Sequence, residues 1–233
     1  MMESLGLVAA SSYAKDIDFV FDLIFWITAF WLLLAEAVFF YLIVRFRKKP
    51  GVGGQYITGE LKSEKRWITI PHFAVLLFDV AILFFAVKVW YHVKQELPQA
   101  PDQQIVRVIA QQWAWTFVHP GPDGKLDTPD DITTVNELHV EVDKLHVFKL
   151  ESKDVLHDFS VPVFRLKQDA IPGRVITGWF TPTKTGNYDI QCAEICGIGH
   201  ALMPARMIIE AAPEHAEWLA KNSNLAVASA TAR

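Results

Sequence analysis

QCAEICGIGHALM, residues 191–203, holds both cysteines of a 233-residue chain, Cys192 and Cys196, followed by His200 and Met203. Thiolate, imidazole and thioether are soft or borderline donors. Gathered on one thirteen-residue loop, they suit copper far better than magnesium or calcium. Gly197 and Gly199 let the loop fold back and bring its donors to one point.

Four chemistries compete for these residues. Outside the cytoplasm a Cys-x3-Cys pair can close a small disulfide loop. A Cys2His2 zinc site needs one more His and leaves Met203 idle. A mononuclear blue-copper loop uses one Cys, then His, then Met, and so has one cysteine to spare. Two thiolates bridging two coppers use every donor, and the second cysteine favours that reading.

The string CAEICGIGHALM resembles the loop of the binuclear CuA centre in subunit II of haem-copper cytochrome c oxidases. The resemblance continues upstream in DVLHDFSVP (154–162) and KQDAIPGR (167–174) and downstream in MPARMIIE (203–210), covering most of residues 100–212. It implies two coppers bridged by Cys192 and Cys196 and completed by His157, His200, Met203 and the backbone carbonyl of Glu194. Spacing alone does not select His157, because His139 and His146 also precede the loop at plausible strand ends. The resemblance further implies a cupredoxin barrel, with the ligand loop joining two late strands, and a magnesium reached by the Glu194 carboxylate at the boundary with subunit I.

The chain is 52% hydrophobic yet 21% charged, which suggests membrane spans joined to a water-exposed domain. Residues 1–94 hold 10 basic and 8 acidic residues, whereas 95–233 hold 12 and 18. The negative balance of the second part argues against nucleic acid as a partner and for a basic protein.

Two apolar runs, Phe19–Val44 and Ile68–Val93, are each long enough to cross a bilayer at about 20 residues per span. Between them lies RFRKKPGVGGQYITGELKSEKR, with seven basic residues against Glu60 and Glu64. Short Lys/Arg-rich loops stay on the cytoplasmic side, so both termini and the copper domain are expected in the periplasm or its equivalent. The opening MMESLGLVAASS lacks the basic start and apolar core of a signal peptide, and no cleavage is expected there. Glu36 and Asp79 lie within the spans, where an unpaired charge is costly. They read as neutral or hydrogen-bonded carboxyls packed against another subunit rather than as a proton path. Lys88 is placed to snorkel.

Past Leu97 and Pro98 the pattern changes to short segments rich in β-branched and aromatic residues, from QIVRVIAQQWAWTFV (104–118) through TTVNELHVEV (133–142), HVFKLES, VLHDFSV, RVITGWF and GNYDIQC to ARMIIEA (205–211). Six or seven such strands predict an antiparallel Greek-key sandwich or barrel. The expected organisation is an N-terminal segment and transmembrane hairpin over 1–97, a periplasmic cupredoxin-like domain over 98–212 and a tail over 213–233. HPGPDGKLDTPDD (119–131) does not match the EF-hand series and reads as a solvated acidic loop. The tail predicts one or two amphipathic turns at EHAEWLAK and a frayed end.

QWAWTF (112–117) resembles the aromatic patch through which the oxidase family accepts electrons from cytochrome c, with Trp113 at the accepting position. Read as one strand, Trp113 and Trp115 alternate to one face and could both be core. Gln111 and Ala114 stand where the family pattern has a His and a second aromatic. Glu64, in E-x-x-W-x-x-x-P, resembles the residue at the entrance of the family's proton path into subunit I; its alternative is an ordinary interfacial acid beside Lys65 and Arg66. Asp158 and Asp169 are the first candidates for docking a basic donor.

Together these features predict an electron-transfer subunit of a cytochrome c oxidase. Its partners would be subunit I, other oxidase subunits, cytochrome c or a similar donor, and membrane lipid. A membrane-anchored copper carrier or assembly protein is the alternative; quinol oxidase relatives lack the copper ligands present here, and nitrous oxide reductase has a large second domain.

Overall fold

The computed structural model describes residues 6–54 and 56–231, the side chains of 224–231 excepted. Contacts divide the chain into two units, Asp18–His92 and, together, Met1–Ile17 with Val93–Arg233.

The first unit is a pair of apolar helices, α1 (Ala14–Arg45) and α2 (Lys62–Trp90). Their most apolar stretches are wholly unburied, with Leu33 70% and Ile68 76% exposed, which a soluble core helix would not tolerate. Both are long and apolar enough to cross a membrane. Phe19 meets Phe85 and Trp31 meets Phe78 edge to face, at 5.4 and 6.0 Å between ring centres. Glu64 lies in the first turn of α2, where its carboxylate accepts the backbone N–H of Leu61 at 3.3 Å. That satisfies one of the donors a helix start leaves over.

Among its described residues the second unit holds ten strands in two five-stranded sheets. They are β1 (Gln104–Gln111), β2 (Ala114–His119), β3 (Ile132–Val135), β4 (Glu137–Glu141), β5 (His146–Ser152), β6 (His157–Val161), β7 (Leu166–Ala170), β8 (Ile176–Phe180), β9 (Gly186–Cys192) and β10 (Ala205–Glu210). One sheet runs β3-β2-β1-β5-β8 and the other β4-β10-β9-β6-β7. The result is the expected cupredoxin-like sandwich.

Its sheets are mixed rather than antiparallel, since β1 pairs with β5 and β4 with β10 in parallel. After β3 the chain changes sheet and returns only at β5, so no hairpin dictates the direction of the returning strand. Two segments read as single strands are broken. The first turns at Gln112–Trp113, and the second at Asn136, whose φ of 57° takes it out of extended backbone. Trp113 and Trp115 therefore do not share a strand face: Trp113 stands in the turn, 38% exposed, while Trp115 is fully buried.

The core alternates as β-strands require. Trp115 and Phe117 of β2 point inward with Phe148, Phe159 and Phe180. Phe159 lies 5.6 Å from Trp115 and 5.7 Å from Phe148 between ring centres. Each such ring contributes roughly 1.5–3 kcal/mol by leaving water.

The chain's opening residues join this unit. Ala10 donates to Val163 and accepts from Thr183, both at 2.8 Å, and the Tyr13 hydroxyl donates to the Trp179 carbonyl at 3.3 Å. Ala9, Ala10, Tyr13 and Ala14 are buried, so this segment acts as an added edge on the sandwich. At the other end, a helix α3 (Ala212–Thr231) replaces the one or two turns expected of the tail. Its first turns are held by Trp218, which packs against His139 and His119 of the sandwich, and by His215, which donates to the Glu210 carboxylate.

Candidate metal centre

Three strand ends meet at the ligand loop. His157 opens β6, Cys192 closes β9, and the loop returns through the 3-10 turn His200–Leu202 to Met203, just before β10. The β6–β9 register pairs Phe159 with Cys192, and the Ala193 N–H continues the ladder to the Asp158 carbonyl at 3.2 Å. This pairing places His157 beside the first sulfur.

The loop glycines serve two different needs. Gly197 has a φ of 119°, which an L side chain rarely adopts. Gly199 has ordinary backbone angles but lies against the Trp113 indole, where any Cβ would collide.

All six donors expected from the sequence come together. The two sulfurs lie 3.8 Å apart, about twice a disulfide bond, and both cysteines are free. His157 Nδ1 stands 3.8 Å from Cys192 Sγ, and the Glu194 carbonyl 3.2 Å from the same sulfur. His200 Nδ1 is 3.6 Å from Cys196 Sγ, and Met203 Sδ 3.3 Å. The ligand atoms of His157, Cys192 and Cys196 lie within 4.8 Å of one another, close enough for one metal site.

Second-sphere bonds fix these donors. His157 Nε2 donates to Asp154 Oδ1 at 2.9 Å, which turns Nδ1 toward the sulfurs. The buried Trp115 indole donates to the Met203 carbonyl at 3.1 Å. Cys196 and Met203 are 3% and 1% exposed, so the inner half of the site is closed to water. Burial, followed by the hydrogen bond and charge of Cys192, pushes the Cys196 thiol up to about 11. That thiol keeps its proton until a cation displaces it. Soft donors, mutual proximity and a carboxylate-backed histidine fit copper.

Other predicted residues fall elsewhere. Trp113 lies over the loop, its indole N–H donating to the Cys196 carbonyl at 3.3 Å. Asp158 is only 5% exposed, which corrects its assignment as a surface docking acid: it lies on the face of β6 opposite Phe159 and is covered there, while its register partner Asp169 stays exposed. Burial first, and then Asp169, push the Asp158 carboxyl up to about 6. The Glu194 side chain is exposed, free of the carbonyl's contact with sulfur.

His139 and His146, which spacing left as alternative ligands, belong to a second cluster with His119 and His215. Glu210 accepts from Nδ1 of both His139, at 3.0 Å, and His215, at 2.9 Å. Trp218 of α3 stacks on His139 at 4.2 Å. His146 Nε2 donates to the Glu141 carbonyl at 3.0 Å. Sequence reasoning missed this cluster, and it missed Asp154 and Gln112. The Asp three residues before His157 was the available signal.

The family described as "Cytochrome C oxidase subunit II, periplasmic domain" matches residues 104–212. The chain is 33% identical to the alternative cytochrome c oxidase subunit 2 of Bradyrhizobium diazoefficiens over 232 residues, covering 90% of this chain and 81% of that one. It is 27% identical to cytochrome c oxidase subunit 2 of Cereibacter sphaeroides, covering 91% and 77%. The solved periplasmic domain of subunit II of cytochrome oxidase from Bradyrhizobium japonicum is 28% identical and aligns with a TM-score of 0.49 over 55% of this chain and 98% of that one. With this identity sustained over most of both chains, and with two apolar helices leading into a sandwich that carries a His/Cys/Cys cluster, the chain belongs to the cytochrome c oxidase subunit II family, whose members are parts of an oxidoreductase complex.

Proposed function

We propose that this chain is the electron-accepting subunit of a respiratory cytochrome c oxidase, holding a binuclear copper centre that receives electrons from cytochrome c and passes them to a haem of subunit I. The observation that carries it is the pair of free sulfurs 3.8 Å apart, each with a nitrogen donor and a further oxygen or sulfur donor beside it. Bound there, two coppers would share one electron's change of charge and so keep bond lengths nearly constant. Cys192 and Cys196 would bridge; His157, His200, Met203 and the Glu194 carbonyl would complete the set.

The chain's own contribution is rigidity and shielding. Strands β6, β9 and β10 fix the ligands, the Trp115 N–H holds the Met203 backbone, and burial of Cys196 and Met203 keeps water from the inner side. Trp113, exposed on one side and bonded to the Cys196 carbonyl on the other, is the route by which electrons reach the loop. Exposed acids, Asp169 among them, steer a basic donor. A carrier would keep its copper in an open site, and burial of half this donor set speaks against that alternative.

By the basic loop between the helices, the sandwich and both termini lie on the periplasmic side. Glu64, exposed enough to exchange protons at the start of α2, serves the proton path of subunit I, and the Glu194 carboxylate reaches a magnesium there. Copper content decides the reading: the purified full chain binds two coppers, Cys196→Ser cannot hold the pair, and one copper per unmodified chain overturns the assignment.

A further inference from the structure

We propose that Gln112 and Asp154 are positioning residues for the metal centre, joined into one strap that ties the Trp113 turn to a histidine ligand and to a cysteine ligand at once. The inference rests on the copper reading. Asp154 uses both carboxylate oxygens. Oδ1 accepts from His157 Nε2 at 2.9 Å and from the Val155 N–H at 2.7 Å, and Oδ2 accepts from the Gln112 N–H at 2.7 Å. Gln112 then continues the chain of bonds, its Nε2 donating to the Cys196 carbonyl at 2.7 Å, alongside the Trp113 indole at 3.3 Å.

The geometry assigns each bond a task. An acceptor at Nε2 holds the His157 proton on that nitrogen, leaving the Nδ1 lone pair facing Cys192 Sγ. Two donors on the Cys196 carbonyl fix the peptide that aims its sulfur. Asp154 joins them by pinning the backbone of Gln112, so the turn that carries Trp113 cannot shift without disturbing both ligands. Gly197 fits the same strap, because a Cβ at that position would stand 2.9 Å from Gln112 Nε2. The position of an aromatic at the surface is thereby coupled to the ligand geometry beneath it.

The test uses the full chain in detergent, first metal-free and then copper-loaded. In the metal-free protein, nitrogen NMR of the His157 ring shows the proton on Nε2, and Asp154→Ala releases that preference. In the loaded protein, Asp154→Ala and Gln112→Ala each lose copper to a chelator at least about tenfold faster and change the copper hyperfine pattern. Asp154→Asn keeps one acceptor oxygen for His157 and lies between. If Asp154→Ala does not fold, Gln112→Ala, a change at an exposed side chain, carries the test by itself. Wild-type chelator rates and spectra in the variants, or a His157 proton on Nδ1, overturn the strap. Failure of the unmodified chain to bind copper overturns the metal reading instead, so the two failures are distinct.

Discussion

The Trp113 indole nitrogen sits 3.3 Å from the carbonyl of Cys196, so a large aromatic exposed beside the loop is bonded directly to the backbone of a cysteine of the candidate metal centre. A residue serving only the core would turn this edge inward, as Trp115 does two positions later.

Trp113→Ala is therefore expected to slow electron transfer from cytochrome c while the copper spectra persist. It removes the longer of two bonds to the Cys196 carbonyl, worth about 0.5–1.5 kcal/mol, and leaves the shorter Gln112 bond, at 2.7 Å, in place to hold the peptide. Stopped-flow reduction beside copper content checks this. Loss of copper together with activity would mark Trp113 as a structural residue.

Trp115 gives the opposite outcome. Trp115→Ala opens a cavity at the centre of the sandwich, costing about 3–5 kcal/mol, and releases the Met203 carbonyl, so stability and copper fall together. Trp115→Phe retains most of the packing but not the N–H, and a loss of about 1 kcal/mol is expected. Thermal melts of metal-free and loaded protein separate the two effects.

Acid should loosen α3. Burial, with His139, His215 and His146 nearby, holds His119 well below its ordinary value, and burial holds His146 at about 4 despite its bond to the Glu141 carbonyl. Both rings favour the neutral form in the fold. The stability they provide is present above the unfolded value near 6.5 and declines as pH falls below it. Glu210 beside His139 and His215, Glu137 on β4, the Lys144–Glu141 pair, and Asp102 and Asp123, which line the same cavity, are charges at this face. Trp218, 5.0 Å from His119 and 4.2 Å from His139, reports the change. Its fluorescence and the hydrogen exchange of the first turns of α3 should alter between about pH 6.5 and 5, and His119→Phe should flatten the response. A flat profile in the unmodified protein contradicts the account.

Charge at the surface should tune docking without touching chemistry. Asp169→Asn is expected to lower the association rate of a basic donor and weaken its salt dependence, with single-turnover rates in the formed complex unchanged. Asp158→Asn, at a buried position, should leave association unaffected. Equal effects from the two would return Asp158 to the surface.

The ligand loop and the helices were legible because their signals are local. Six donors lie on one loop and one preceding strand, and the apolar runs announce themselves by length. What was not legible depends on register and close approach. The break at Gln112–Trp113 hides inside a continuous β pattern, and only the three-dimensional turn separates exposed Trp113 from buried Trp115. Asp158 looks like a surface acid until β6 is seen with every side chain covered. The N-terminal segment carries no strand signature, because its partners, Val163, Thr181 and Thr183, lie far along the chain. Asp154 and Gln112 act through single hydrogen bonds that no periodicity encodes.

Electron paramagnetic resonance of the copper-loaded full chain tests the central claim most directly. Two sulfurs held 3.8 Å apart between paired donors predict one unpaired electron shared equally by two copper nuclei, with Cys192→Ser and Cys196→Ser each abolishing the sharing. A four-line spectrum from spin localised on a single copper in the unmodified protein would contradict it.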